Sequence, residues 1–312
     1  MNFTIHIVIS NRSFSYLRFV LRNYRELFSK SSHINFKVYC LDRTVYYRIS
    51  KSNLAIEKIL VKNAHKGSIG HSMGLSLALK NFTAGHINII SDADVCILVK
   101  NWDILLLKFL TSPSSQIIKP AGVIGVTYEN IDGFSSGNSE IQTYKNAPTL
   151  TWCLFMPDYD FTNLDASSEK NNLLQINSAQ LSKIFGIPQG YSLLKDVGWQ
   201  LPLFLVKNSI PYLVFDHIKP SNSDAKILGG AGDYHDEFHY NKIPFLVHQR
   251  GSMKHSFRLS KFSKEFYNRV DKYLDYPNWF TNPTILDYLY FGVDFAKKTS
   301  IKLLKLISKK IR

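Results

Sequence analysis

The stretch His86-Ile87-Asn88-Ile89-Ile90-Ser91-Asp92-Ala93-Asp94-Val95 decides how this chain is read. Isoleucines at 87, 89 and 90 make a short buried strand, which turns polar at Ser91 and ends in two carboxylates one residue apart. A carboxylate is costly to bury unpaired. Two of them at the mouth of a strand imply a partner, with a metal ion or sugar hydroxyls as the candidates. A D-x-D pair offers oxygens to a hard divalent ion such as Mg²⁺ or Mn²⁺ and leaves further positions for phosphate oxygens. The motif alone is weak, because such pairs are commonly solvated turns or helix caps. Asp158-Tyr159-Asp160 has the same letters and reads as a loop. The first pair differs in following the third strand of an alternating β/α order.

That order begins with a strand, Phe3 to Ile9, which closes in the turn Ser10-Asn11-Arg12-Ser13, where Ser13 is placed to cap a helix. Phe14, Leu17, Leu21, Tyr24 and Phe28 recur at helical spacing. A second strand, Ile34 to Leu41, stops at Asp42, and a basic stretch, Arg43 to Lys58, has helical character. Lys66 to Ser72 is a glycine-containing turn that opens a helix, Met73 to Phe82, and another helix follows the D-x-D pair from Asn101 to Leu110. Alternation of this kind predicts a mostly parallel sheet with ligands at the carboxyl ends of its strands. Ser10 to Arg12, Asp42, and Asp92 to Asp94 all fall at such ends and converge on one crevice.

Beyond residue 111 the pattern thins. Strands are expected at Ala121 to Val126, Leu150 to Met156, Pro211 to Phe215 and Pro244 to Val247. Tyr128 to Ala147 reads as a polar loop long enough to act as a lid, and Asp158 to Asn172 and Ser221 to Asn241 as further polar loops. Ser178 to Phe185 is a short helix, and Asp196 to Asn208 a helix kinked at Pro202.

Lys and Arg exceed Asp and Glu by 14 in 312 residues, so an anionic partner is expected: nucleic acid, an anionic membrane or a nucleotide phosphate. The basic residues lack the interleaved aromatic platform of nucleic-acid binders, which argues against that partner. Cys40, Cys96 and Cys153 have no metal spacing and read as buried thiols of a reducing compartment. The amino terminus has no basic leader, and no apolar run reaches transmembrane length. From Phe295 the tail is free of acid, with Lys298, Lys302, Lys305 and Lys309 on one helical stripe. That describes either a peripheral membrane anchor or a helix docked on the body with a solvated face.

Four segments together resemble GT-A fold nucleotide-sugar glycosyltransferases, in particular bacterial family-2-like enzymes of surface polysaccharide synthesis. They are Ile5 to Leu21 with its Ser10-Ser13 turn, Gly67 to Leu75, Ile89 to Val95 with Asn101-Trp102-Asp103, and Val247-His248-Gln249-Arg250-Gly251-Ser252. The resemblance spans roughly residues 3 to 255 and is thin between 111 and 243. It implies an α/β fold with a Rossmann-like nucleotide-binding half, residues 1–110, an acceptor-binding half, 111–258, and a basic helical tail, 259–312. The activity it implies is sugar transfer from a nucleotide-sugar donor to a glycan or lipid-linked acceptor, metal-dependent and inverting, in the cytoplasm or on the inner membrane face.

Carried over, Asp94 is the ligand to Mn²⁺ or Mg²⁺, Asp92 its companion toward donor and metal, and His248 the late ligand, with His255 as fallback. Ser10, Arg12 and Asp42 face the nucleotide, and His71 lines the same pocket. The general base falls on Asp196, with Trp199 available to stack on a sugar. Lys195-Asp196-Val197 departs from the Glu-Asp pair common in such enzymes, and Asp196 is equally placed as a helix cap; Asp233, Asp236 and Glu237 compete for the role. Two other readings stand beside this one. A sugar-phosphate nucleotidyltransferase requires a glycine-rich loop after strand one, which this chain lacks. A non-catalytic glycosyltransferase-like binding protein has no need of both Asp92 and Asp94.

Overall fold

The computed structural model describes residues 1–11, 13–52, 54–65, 67–111, 121–127, 140–141, 146–169, 172–195, 197–218, 235–249 and 261–275. In chain order the elements are β1 (Asn2–Ile9), α1 (Phe14–Glu26), β2 (His33–Cys40), α2 (Arg43–Ser50), β3 (Glu57–Leu60), α3 (Ser68–Lys80), β4 (Ile87–Ser91), β5 (Val95–Ile97), α4 (Trp102–Thr111) and β6 (Val123–Val126). Then follow β7 (Glu140–Ile141), β8 (Thr149–Phe155), β9 (Leu173–Gln175), α5 (Ala179–Phe185), β10 (Ser192–Leu194), α6 (Gln200–Lys207), β11 (Tyr212–Ile218), β12 (His235–Tyr240), β13 (Ile243–Gln249) and α7 (Lys261–Leu274).

Among the described residues, ten strands form one sheet in the order β3-β2-β1-β4-β8-β6-β11-β12-β13-β5, and β7-β10-β9 form a small second one. The first four are mutually parallel, as the alternation of strands and helices requires. β8 runs antiparallel to both β4 and β6, β11 pairs parallel with β6, and β12, β13 and β5 continue antiparallel.

The sheet curls. β4 and β5 are separated by three residues in the chain yet stand at positions four and ten of the sheet. A linker that short spans at most about 14 Å between Ser91 and Val95, so the five strands between β4 and β5 must bend back on themselves. The interior agrees. Trp152 on β8 and Phe245 on β13 lie four strand spacings apart, about 19 Å in a flat sheet, yet their rings are 5.9 Å apart, with Phe215 5.6 Å from Trp152 and stacked at 4.9 Å on Phe245. One apolar core runs from this aromatic cluster through β1 and β4 to α1 and α7. α7 seats Tyr267 against Phe19 at 4.4 Å and lays Phe266 over His235 at 5.0 Å.

Several expectations change. A third parallel strand, β3, precedes the D-x-D strand, which is therefore the fourth. Helix α3 starts at Ser68 rather than Met73, taking in His71. Gly74 brings α3 so close to the sheet that a Cβ there would stand 2.5 Å from a Val8 methyl. α6 begins at Gln200, so Pro202 sits in its first turn, where a missing N–H costs nothing. Ser13 stands at the head of α1, but its hydroxyl serves Ser10 and not the helix amides. The largest change is β12: within the expected polar loop 221–241, His235–Tyr240 is a buried strand. The remainder of that loop, most of the expected lid at 128–147, and the tail beyond residue 275 lie outside the described residues.

Burial of His6 makes a prediction about pH. Its Nε2–H donates to Asn88 Oδ1 (3.0 Å), whose amide group is committed as donor to Thr83 and His86, and its Nδ1 accepts from the Tyr39 hydroxyl (2.9 Å). Burial lowers the imidazole pKa from 6.5 to about 4, and burial likewise takes His235 down to about 4. The unfolded chain then takes up protons first, so stability present above pH 6.5 is lost as pH falls toward 4. At about 1.4 kcal/mol per pH unit, His6 contributes up to about 3 kcal/mol of that loss. Urea midpoints measured from about pH 7 down to about pH 4.5 should decline, and His6→Gln should make the decline shallower without abolishing it.

Candidate functional site

β4 is buried from end to end and carries the chain into the crevice along an in-register ladder, Phe3↔Ile87 through Ile7↔Ser91 on one side and Ser91↔Trp152 on the other. The ladder to β8 survives one residue further, with the Asp92 N–H donating to Thr151 O at 2.8 Å. The chain then turns, Val95 N–H reaching back to Asp92 O, and β5 pairs with β13. In that pairing Val95 stands opposite His248, and Gln249 N–H donates to Asp94 O at 3.1 Å.

Asp92, Asp94 and His248 thus meet. One ligand atom from each lies within 4.8 Å of the others. His248 Nε2 is 3.4 Å from Asp94 Oδ1, and both residues are buried, while Asp92 is half-buried. Two carboxylates and one imidazole form a donor set that suits Mn²⁺ and accommodates Mg²⁺. Burial lowers the His248 pKa, but the carboxylate of Asp94, with Asp92 and Asp236 behind it, outweighs burial and holds it above the ordinary histidine value. From the other side, α3 brings His71 Nε2 to 3.3 Å from Asp92 Oδ1.

A buried hydrogen-bond chain fixes the turn from beneath. Trp152 Nε1–H donates to the Tyr24 hydroxyl (2.8 Å), which donates to Ser91 Oγ (2.9 Å), which donates to the Asp92 carbonyl (3.0 Å). Burial pushes the Tyr24 phenol well above its ordinary pKa, so it stays a donor.

Ser10 and Asp42 close the neighbouring strands along the same edge, since β1 lies between β2 and β4. Both Asp42 oxygens are engaged by backbone, one by Val45 N–H at the head of α2 (2.8 Å) and one by Asn11 N–H (3.0 Å). Asp42 is thus a helix cap that also ties down the Ser10 turn. Arg12 and Asp196 lie outside the described residues, as do Asp233 and His255. Trp199 is buried, with the Lys195 ammonium 4.7 Å over its ring, so it is not open to stack on a sugar. Asp160 holds its own turn through Thr162, as a solvated D-x-D does.

The sequence reading missed what surrounds His248. On β12 and β11, Asp236 pairs with His217 at 2.6 Å and Glu237 with His239 at 2.6 Å, all four buried. Asp236 and Glu237 are therefore sealed from an acceptor hydroxyl. The available signal was the run His235-Asp236-Glu237-Phe238-His239, with imidazoles and carboxylates at pairing distance for a strand.

The fold and site define a mixed α/β protein with a carboxylate–imidazole cluster at the carboxyl ends of its strands. No protein-family model and no curated protein sequence matches the chain. Among solved structures it is similar in part to Staphylococcus aureus TarS residues 1–349, at 17% identity and a TM-score of 0.37, over 63% of this chain and 58% of that one. It is similar to the mannosyltransferase PcManGT of Pyrobaculum calidifontis, solved with GDP-Man and Mn²⁺, at 17% identity and 0.33, over 49% and 44%. It is also similar to the galactosyltransferase LgtC, solved with donor and acceptor sugar analogues, at 13% identity and 0.35, over 67% and 72%.

Tyr24→Phe should leave the Trp152 N–H and Ser91 hydroxyl short of a partner and lower stability by about 1–3 kcal/mol. A urea titration followed by tryptophan fluorescence measures it. A loss below about 0.5 kcal/mol would mean that the chain does not hold the turn.

Proposed function

We propose that this chain is a nucleotide-sugar glycosyltransferase whose donor diphosphate binds at Asp92, Asp94 and His248. The observation carrying this reading is the convergence of two strand-end carboxylates and a histidine from half a chain away on one point. Such a donor set fits a divalent cation, and a bound cation would supply charge neutralisation at the diphosphate. Asp94 and His248 would hold it, with Asp92 beside them.

The remaining roles follow from the chain's own residues. His71, already against Asp92, orients that carboxylate and borders the donor. The Ser10 turn, with Arg12, and the Asp42 corner border the nucleotide, Asp42 acting through the backbone it fastens. Asp196, in the segment leading to α6, is the proposed base that takes the acceptor hydroxyl's proton in an inverting transfer. The acceptor is a glycan or lipid-linked saccharide, and the basic tail is the proposed contact with an anionic membrane. No helix among the described residues is long and apolar enough to cross a membrane.

The test is nucleotide release from UDP-, GDP- and CMP-sugars with and without Mn²⁺. Release from one donor class should require the metal. Asp94→Ala should lower it by at least about 100-fold, equivalent to about 2.7 kcal/mol. Metal-independent release, or an Asp94→Ala protein as active as wild type, would overturn the proposal. Tight nucleotide binding without turnover toward any acceptor would favour a non-catalytic binding protein.

A further inference from the structure

β13 runs between β12 and β5, and His248 stands opposite Asp236 on one and Val95 on the other. Residues directly opposite in neighbouring strands project to the same face, so Asp236 lies beside the imidazole, and Asp94, in the turn just before Val95, meets it from the other side. Its Nε2 faces Asp94 at 3.4 Å, and its Nδ1 faces Asp236 Oδ2 at 3.9 Å. The other Asp236 oxygen is bound by His217 Nε2 at 2.6 Å. Asp236 is 1% exposed, so its charge reaches neither solvent nor substrate and acts through the imidazoles it faces.

A neutral imidazole that offers Nε2 to a cation carries its proton on Nδ1, and a carboxylate facing Nδ1 fixes that tautomer and makes Nε2 more basic. We infer that Asp236 is the positioning residue of His248, anchored by His217, and that it sets the cation affinity of the Asp92–Asp94–His248 cluster. This rests on the metal reading proposed above. At 3.9 Å the contact is too long for a hydrogen bond, and Asp236 acts on the Nδ1 side of the ring through its charge.

The experiment titrates the full-length protein with Mn²⁺ alone and follows the free ion by electron paramagnetic resonance. Asp236→Asn, which keeps the shape and removes the charge, should weaken Mn²⁺ binding by about 10- to 100-fold. In a His248→Ala background the same substitution should change affinity by less than about twofold, because the effect passes through the ring. A merely structural role would lower affinity equally in both backgrounds, and that result overturns the inference. So does a folded Asp236→Asn protein that binds like wild type, while leaving the metal reading intact. Absence of Mn²⁺ binding by wild type sinks the metal reading and this inference with it. Should Asp236→Asn not fold, the wild-type protein with Mg²⁺ decides the matter: a long-range ¹H–¹⁵N spectrum should show His248 protonated at Nδ1, and protonation at Nε2 overturns the inference.

Discussion

Everything about the crevice depends on one change of partners. The chain leaves β4 at Ser91 still paired with β8, turns through Asp92, Ala93 and Asp94, and re-enters the sheet at Val95 beside β13. Three residues cannot bridge the width of a flat seven-strand run, so the sheet must bend until its far edge meets the turn. The bend encloses Trp152, Phe215 and Phe245, whose burial stabilises it. The same bend delivers His248 to Asp94. Fold and site are therefore consequences of a single short connection.

The region tolerates its buried charge by a repeated device. Asp92 faces His71, Asp94 faces His248, Asp236 faces His217, and Glu237 faces His239. An isolated buried carboxylate costs several kcal/mol, whereas one beside an imidazole shares a hydrogen bond or a proton. This explains how β12, four of whose six residues are His, Asp or Glu, sits inside a sheet. It also separates the carboxylates by exposure: those of β12 are sealed, while Asp92 is open enough to meet a ligand.

The first hundred residues were largely legible in sequence because their periods are clean. Ile5 to Ile9 and Ile87 to Ile90 are dense apolar runs, and the Phe14-to-Phe28 spacing is helical, as β1, β4 and α1 bear out. β12 was illegible because apolar periodicity, the main sequence signal, is absent where burial is achieved by imidazole–carboxylate pairs. β5 was hidden for a different reason: Val95-Cys96-Ile97 is too short to stand out, and only its long-range partner makes it a strand. His248 was legible from the His-x-x-Gly-Ser turn, whereas the capping role of Asp42 was not, since a carboxylate at a strand end reads alike as ligand and cap. Trp199 reads as a sugar platform in sequence, and only packing shows Lys195 lying across it.

The pairing of β5 with β13 has a consequence in time. Asp94 and His248 are about half the chain apart, so their contact closes one of the longest loops in the molecule and is unavailable until β13 has been made. Until then the turn after β4 presents two carboxylates with no histidine behind them and no curled sheet around them. A nascent or truncated chain ending before β13 would hold every residue of the D-x-D strand and still lack the cluster. Completion of the site therefore reports the pairing of β13 with β5, and the cluster forms only when these two distant parts of the chain have met.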